Sequence, residues 1–528
     1  MEPGMPGESR TSIFIYPFFF RQERYRELVG SVWRDPCWKL EFVTPEREED
    51  RQHLRYLYPH ARDFLFPTHG LGREEIEKLF PPWKVYGSSG TAPARPDGPN
   101  RRQWEVLRSW QVIRWRWDPE GGEAERRFRF DLRCEGGNLE VECKFHKVSL
   151  LVFPTGVGLL LMEVGPARPT GSGSGGLDDP RAFGRWVEQF STLEDMPSGT
   201  PAAELSFEKG REKLKDFIEG KLLSFLAPEL RAAGSYAAGE ASLIRYVVWC
   251  DGGPGEGEAP NGRLNRLLRE LSPRCRGPLK KRALFVGIDT RAYFTAQGAT
   301  VVCCGSSSFP CDRLLRFWRR FYLDLFLHAL YHRLSLLRFA HELSCTEELI
   351  RSADRVRQLR RRFLEFTNKA WFGHVVHADY GHMIWRKWQE VLETQSLYEE
   401  VKGYLTELGD FLEEGRRSWY KSLSFFLVVF GSAVSLISTL FSAGVLRPLP
   451  GWTPGPLAVA GVCAGVFAAA YAVAGAAQWH YFRKVGRWKL EGAPERRGFA
   501  WRGRVPGGRR ERRVEGWGIR GFRPSSRP

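Results

Sequence analysis

The pattern of apolar and polar positions changes character twice along the chain. Up to about residue 310, apolar residues gather in short runs bounded by Gly, Pro or charge clusters. These runs predict strands at Ile13–Phe19, Trp38–Val43, Arg127–Leu132, Leu139–Phe153, Gly156–Val164, Leu243–Trp249, Arg282–Val286 and Thr300–Cys303. Pro154, Thr155 and Gly156 sit between two of them and predict a hairpin turn. Helical spacing is expected at Arg73–Phe80, Arg181–Leu193, Phe207–Leu226 and Leu264–Leu271. Gly87–Asn100, Gly165–Gly176 and Asp251–Gly262 lack apolar periodicity and read as surface loops. Residues 1–310 are thus expected to form an α/β domain.

From Asp312 the pattern is helical. Asp312–Leu343 reads as one helix, with a charged and histidine-bearing interior that suits a buried core helix. Ser344 to Glu347 has the form of a capping box, which predicts a second helix running to about Trp371. A third begins near His382. Its positions Trp388, Val391, Tyr398, Val401, Leu405, Leu408 and Leu412 follow a near-heptad seam. That seam packs either on the two preceding helices or on another copy of the chain. No proline interrupts His382–Leu446, so one continuous helix is expected there, with residues 311–421 forming a stalk.

The second change is to long charge-free stretches, Leu423–Leu446 and Leu457–Trp479, separated by a loop holding four prolines. At about 1.5 Å per residue each covers a hydrocarbon core of roughly 30 Å. A transmembrane hairpin over residues 422–480 is the expectation. Basic residues flank it on both outer sides, and only Arg447 lies in the loop. The positive-inside rule then places both termini in the cytoplasm of an inner-membrane protein.

Charge changes this picture little. The net charge is +17, yet residues 481–528 carry 15 Lys/Arg against 4 Asp/Glu. The basic character is a property of an Arg/Gly/Pro-rich tail expected to be disordered and to meet anionic lipid. A nucleic-acid-binding body is not required. The 10 cysteines include no Cys-x-x-Cys pair, which signals neither zinc nor a disulfide framework. No glycine loop is followed by Lys-Ser/Thr or has dinucleotide-fingerprint spacing, and no nucleophile arrangement stands out, so an enzyme is not expected.

Candidate chemistry lies in three places. In the first apolar stretch Gly431, Ser432, Ser435, Ser438, Thr439 and Ser442 share a helical face, continued by Gly444. Such a stripe either lines a watery pore or bonds back to its own helix. In the second stretch Gly461, Gly465 and Ala469 form a close-packing face. At a bend between helices, His374, His377, Asp379 and His382 have metal-ligating chemistry, with helix capping and packing as the alternative.

An α/β region, long helices and a two-span hairpin with a basic end together resemble the CorA-like divalent-cation transporter superfamily, best over residues 311–490. Tyr481 to Lys484 and Trp488-Lys489 resemble the basic segment after its second span. The resemblance implies a homopentameric funnel, with the first span lining the pore and Arg483, Lys484, Arg487 and Lys489 collaring its mouth. The family's Gly-Met-Asn signature is missing: Ser442-Ala-Gly-Val-Leu446 stands at that place. The expected function is an oligomeric membrane channel or transporter for divalent cations, gated by its cytoplasmic domain. One alternative resembles the CorA-like effectors of type III CRISPR systems, opened by a nucleotide messenger. Another is a membrane-anchored binding protein without conduction. No cofactor is required beyond a divalent cation; the expected partners are lipid, further copies of the chain, the transported cation and a nucleotide.

Overall fold

The computed structural model describes residues 10–442 with interruptions at 44–47, 89–96, 120–121, 123, 135–136, 168–176, 178, 197–199, 209, 231–241, 252–259, 273–282, 286–289, 305–310 and 345–352. The chain divides into two compact units, Met1–Leu412 and Glu413–Pro528. Among the described residues of the first unit, 12 strands form one sheet. In chain order they are β1 (Arg10–Phe19), β2 (Trp38–Leu40), β3 (Ile113–Trp117), β4 (Arg127–Cys134), β5 (Gly137–Phe153), β6 (Val157–Pro166), β7 (Glu204–Phe207), β8 (Gly210–Lys213), β9 (Ile244–Asp251), β10 (Ala283–Phe285), β11 (Thr290–Thr295) and β12 (Gly298–Cys304).

The main path runs β10-β11-β12-β9-β1-β6-β5-β4-β7-β8. Only β12 and β9 pair in parallel among the described strands; the other pairings are antiparallel. β1 lies between β9 and β6 and is buried at every residue. β5 pairs β6 along one edge, while its other edge pairs β4 over its first half and β3 over its second. The predicted hairpin joins β5 to β6. Gly156 turns it with φ +85°, where a Cβ would lie 2.7 Å from the Phe20 carbonyl oxygen, so glycine is required.

Both faces of the sheet are covered, and two apolar clusters result. On one face Phe14, Phe18, Trp38, Trp115, Phe128, Phe130, Phe145, Leu150 and Trp249 meet helices Tyr25–Arg34, Arg73–Leu79, Arg101–Ser109, Pro180–Phe190 and Pro260–Leu271. On the other, Ile13, Ile15, Leu151, Phe153, Leu159, Tyr246, Val248 and Val301 meet helices Pro59–Leu65, Cys311–Phe317, Leu323–Ser344, Ala353–Lys369 and Asp379–Val391. The helices between Cys311 and Val391 therefore cover the sheet and share its compact unit.

Several expectations are corrected. The helix foreseen from Asp312 is split by a π-helical turn, Trp318–Tyr322, between Cys311–Phe317 and Leu323–Ser344. The helix foreseen at Phe207–Leu226 is replaced by β7, β8 and a short Leu214–Phe217 helix with a π turn. The single long helix from His382 is broken at Leu392–Glu393 into Asp379–Val391 and Thr394–Ser442. Glu393 adopts φ 53°, a left-handed conformation that ends the first helix without proline. The heptad seam is used within the chain: Val401 and Leu405 are buried in the second cluster, and Tyr398 stacks on Trp371 at 4.5 Å.

The membrane expectation is also corrected. Leu423–Ser442 forms the end of a 49-residue helix whose earlier turns carry Glu399, Glu400, Lys402, Glu407 and Asp410. Among the described residues no helix is long and apolar enough to cross a membrane. The fold is thus a helix-covered mixed sheet; the transmembrane hairpin, the oligomeric funnel and the inner-membrane placement are not supported by it. The second apolar stretch, with Gly461, Gly465 and Ala469, lies outside the described residues, as do Gly444, the collar Arg483, Lys484, Arg487 and Lys489, and the basic tail.

Candidate functional site: a charged seam on the sheet

The bend predicted around His374 is tied down by backbone pairing. Tyr58 donates its N–H to the Val375 carbonyl at 3.0 Å, and His377 donates to the Tyr56 carbonyl at 3.0 Å. His374 and His382 stack with ring centroids 5.2 Å apart, and His60 donates from Nε2 to the His374 carbonyl at 2.7 Å. His377 turns instead to Tyr58, its ring centroid 3.7 Å away. Asp379 opens the following helix. Partial burial, Arg386 and the His374 ring lower the pKa of His382, against the pull of Asp379. Among the described residues no group of three or more His, Cys, Asp or Glu side chains could hold a metal ion. The bend is a surface ridge of imidazole and tyrosine.

The hydroxyl stripe falls within the Thr394–Ser442 helix up to Ser442. Thr439 donates its hydroxyl to the Ser435 carbonyl at 2.7 Å, the back-bonding alternative. Gly431, Ser432, Ser435 and Thr439 are exposed; the burial of Ser438 and Ser442 lies outside the described features.

Sequence inspection missed a concentration of charge on the second face of the sheet. β5 holds a bulge between Phe145 and Lys147. The bulge changes the face to which alternate residues point. Phe145 lies in the first cluster, but Val148, Leu150 and Val152 follow it there, so Lys147, Ser149 and Leu151 turn to the second face. Lys147 Nζ makes a short ion pair with Glu41, and Ser149 Oγ donates to Glu41 Oε2 at 3.4 Å. Arg116 on β3 approaches the same carboxylate at 4.0 Å and lies over the Tyr86 ring, also at 4.0 Å. Burial alone would raise the Glu41 pKa; Lys147, Arg116 and Arg114 outweigh it and hold the group below the usual carboxylate range.

The π turn adds to the seam next to Lys147, whose cross-strand neighbour is Glu163. Arg319 pairs with Glu163 of β6, which is buried, and Arg320 reaches Asp50 at 3.5 Å. Asp324, at the start of the next helix, accepts from Arg114 Nη2 at 2.8 Å. π turns recur at functional sites because the extra residue re-aims side chains. Away from the π turn the same sheet face continues along β4 as Arg127, Arg129, Asp131 and Arg133, alternating with core Phe128, Phe130 and Leu132. Directly across lie Lys144, Glu142, Glu140 and Asn138. Arg211 of β8 meets Asp131 at 3.8 Å. These ladder side chains are exposed, apart from half-buried Lys144. The arrangement offers guanidinium groups held in place by carboxylates, a stacked Arg–Tyr pair and a solvent-facing ladder with more basic than acidic groups on β4.

The signal available in the sequence was the Arg-Phe-Arg-Phe-Asp-Leu-Arg alternation from Arg127 and the Arg-Trp-Arg-Trp alternation from Arg114. Each marks a strand with a charged face. No family model matches the chain, and no curated protein or solved structure matches it either.

Proposed function

We propose that the Met1–Leu412 unit is a binding body that receives a phosphate-bearing ligand of nucleotide type on the charged seam. The observation that carries this reading is Arg116 lying over Tyr86 at 4.0 Å and sharing Glu41 with Lys147, on the sheet face that also carries the β4 arginines. A guanidinium stacked on an aromatic ring is a surface on which a nucleobase can stack, and neighbouring arginines suit phosphate oxygens. Carboxylates such as Glu41 hold the cationic side chains in position, which lowers the entropic cost of binding. Of the functions considered from sequence, nucleotide sensing is the one these residues favour.

The test is titration of the full-length chain with nucleoside mono-, di- and triphosphates, cyclic dinucleotides and short oligonucleotides, with pyrophosphate as the comparator. A measurable affinity that falls at least about tenfold in an Arg116→Ala/Lys147→Ala variant supports the reading, about 1.4 kcal/mol of lost interaction. Absence of binding across the panel, or equal affinity in the folded variant, overturns it.

A further inference from the structure

The Leu323–Ser344 helix places His328 and His332 one turn apart on its buried side, with ring centroids 4.3 Å from each other. They are 1% and 0% exposed. The His332 Nε2 lies 2.7 Å from the Ala370 carbonyl oxygen. A carbonyl only accepts, so Nε2 carries the proton and Nδ1 presents a lone pair. That Nδ1 has no hydrogen-bond partner, and neither Nδ1 nor Nε2 of His328 has one. Buried polar atoms left unpartnered are costly, each about 1–3 kcal/mol, and three in one place call for a physical reason.

The surroundings supply one. A metal-ligating histidine commonly donates its other ring N–H to a backbone carbonyl, which fixes the tautomer and aims the free nitrogen. His332 is held in this way. A second imidazole four residues earlier on a helix is at chelating spacing. The shell is aromatic: Trp385 lies 5.3 Å from His328, Phe372 5.7 Å and Phe64 5.0 Å, and Trp371 lies 4.7 Å from His332. The groups acting electrostatically on His328 are imidazoles, His332 and His60. A doubly charged ion would therefore be poorly compensated, whereas a soft, singly charged ion with few ligands is less penalised. His60 lies 4.7 Å from the Phe372 ring, which connects the surface imidazole ridge to the buried pair.

We infer that His328 and His332, whose rings must open from their 4.3 Å centroid spacing to face their free nitrogens on one ion, form a buried two-nitrogen site for a late transition-metal ion, the cuprous ion in particular. The four residues of the surface bend do not contribute ligands. The test uses the full-length chain carrying His374→Ala and His382→Ala, so that surface imidazoles do not report. The chain is produced with copper under reducing conditions, dialysed against chelator, and its metal content measured. About one equivalent of copper is expected, falling at least tenfold in His328→Phe, a substitution that keeps an aromatic ring in the aromatic shell. Circular dichroism checks that this variant is folded. The copper-edge X-ray absorption spectrum of the unsubstituted site gives a second readout, expected to show cuprous ion with a nitrogen-only shell of low coordination number. No retained copper, equal copper in a folded His328→Phe chain, or a shell dominated by sulfur would overturn the assignment.

Discussion

Arg114 on β3 and Asp324 at the start of the Leu323–Ser344 helix meet at 2.8 Å across 210 residues of sequence, and the pair ties the sheet to the helices that cover its second face. Arg114 is further held by the Leu65 carbonyl at 3.3 Å and the Phe66 ring at 4.6 Å. Both side chains are largely buried. Asp324→Ala would remove the carboxylate that the largely buried guanidinium bonds, leaving Glu41 near it, and is expected to lower stability by about 3 kcal/mol. An Arg114→Met/Asp324→Leu double substitution should recover most of that loss. Urea unfolding of the three chains checks both outcomes.

Acid should destabilise the metal-free chain through the buried histidines. Burial is the main cause of the lowered pKa of both; His332 comes to about 4, and His328 lies well below its ordinary value. Between the unfolded value near 6.5 and the folded one, the unfolded chain binds more protons. Stability is therefore complete above about pH 6.5 and falls as pH drops toward 4, by about 1.4 kcal/mol per pH unit for each histidine. His332→Phe should flatten the pH dependence of the urea midpoint in this window; an unchanged slope contradicts the assignment.

Glu393 separates two helices with φ 53°. A side chain there costs roughly 1 kcal/mol relative to glycine. Glu393→Gly is expected to raise the urea midpoint by an amount equivalent to about 0.5–1 kcal/mol. A lower midpoint would mean that the Glu393 side chain contributes more than its backbone costs.

The β5–β6 turn makes the opposite prediction. Gly156→Ala would require both a left-handed alanine and a Cβ 2.7 Å from the Phe20 carbonyl oxygen. A loss of at least about 2 kcal/mol is expected from strain and displaced backbone. Loss of the Phe20 N–H to Gly156 carbonyl bond, 3.0 Å in the native chain, should appear as faster amide exchange at Phe20.

What could be read locally was determined by the sequence alone. The eight strand runs all fall within or overlap β1, β2, β4, β5, β6, β9, β10 and β12, because buried strands need continuous β-branched and aromatic residues. The turn at Gly156 was legible because a left-handed position favours glycine. Strands β3, β7, β8 and β11 were missed: β3 alternates Arg with Trp, and β7 and β8 are four residues each, too short for a period to emerge.

Tertiary structure decided the rest. The bulge at Phe145/Lys147 and the π turn at Trp318–Tyr322 each add one residue to a regular repeat, and no local residue type marks them. Together they bring Lys147, Glu41, Arg116, Glu163 and Arg319 to one seam from five separate stretches of chain. The seam of Val401 and Leu405 had two satisfactory partners in sequence terms, since apolar burial is non-directional; only the packed fold selected the helices of the same chain. The histidines of the bend are neighbours in sequence, and only the fold shows where each goes: His374 stacks on His382, whereas His377 turns to Tyr58. The same fold brings the His328 and His332 rings together one helical turn apart, inside the helix whose charged and histidine-bearing interior suited a buried core helix.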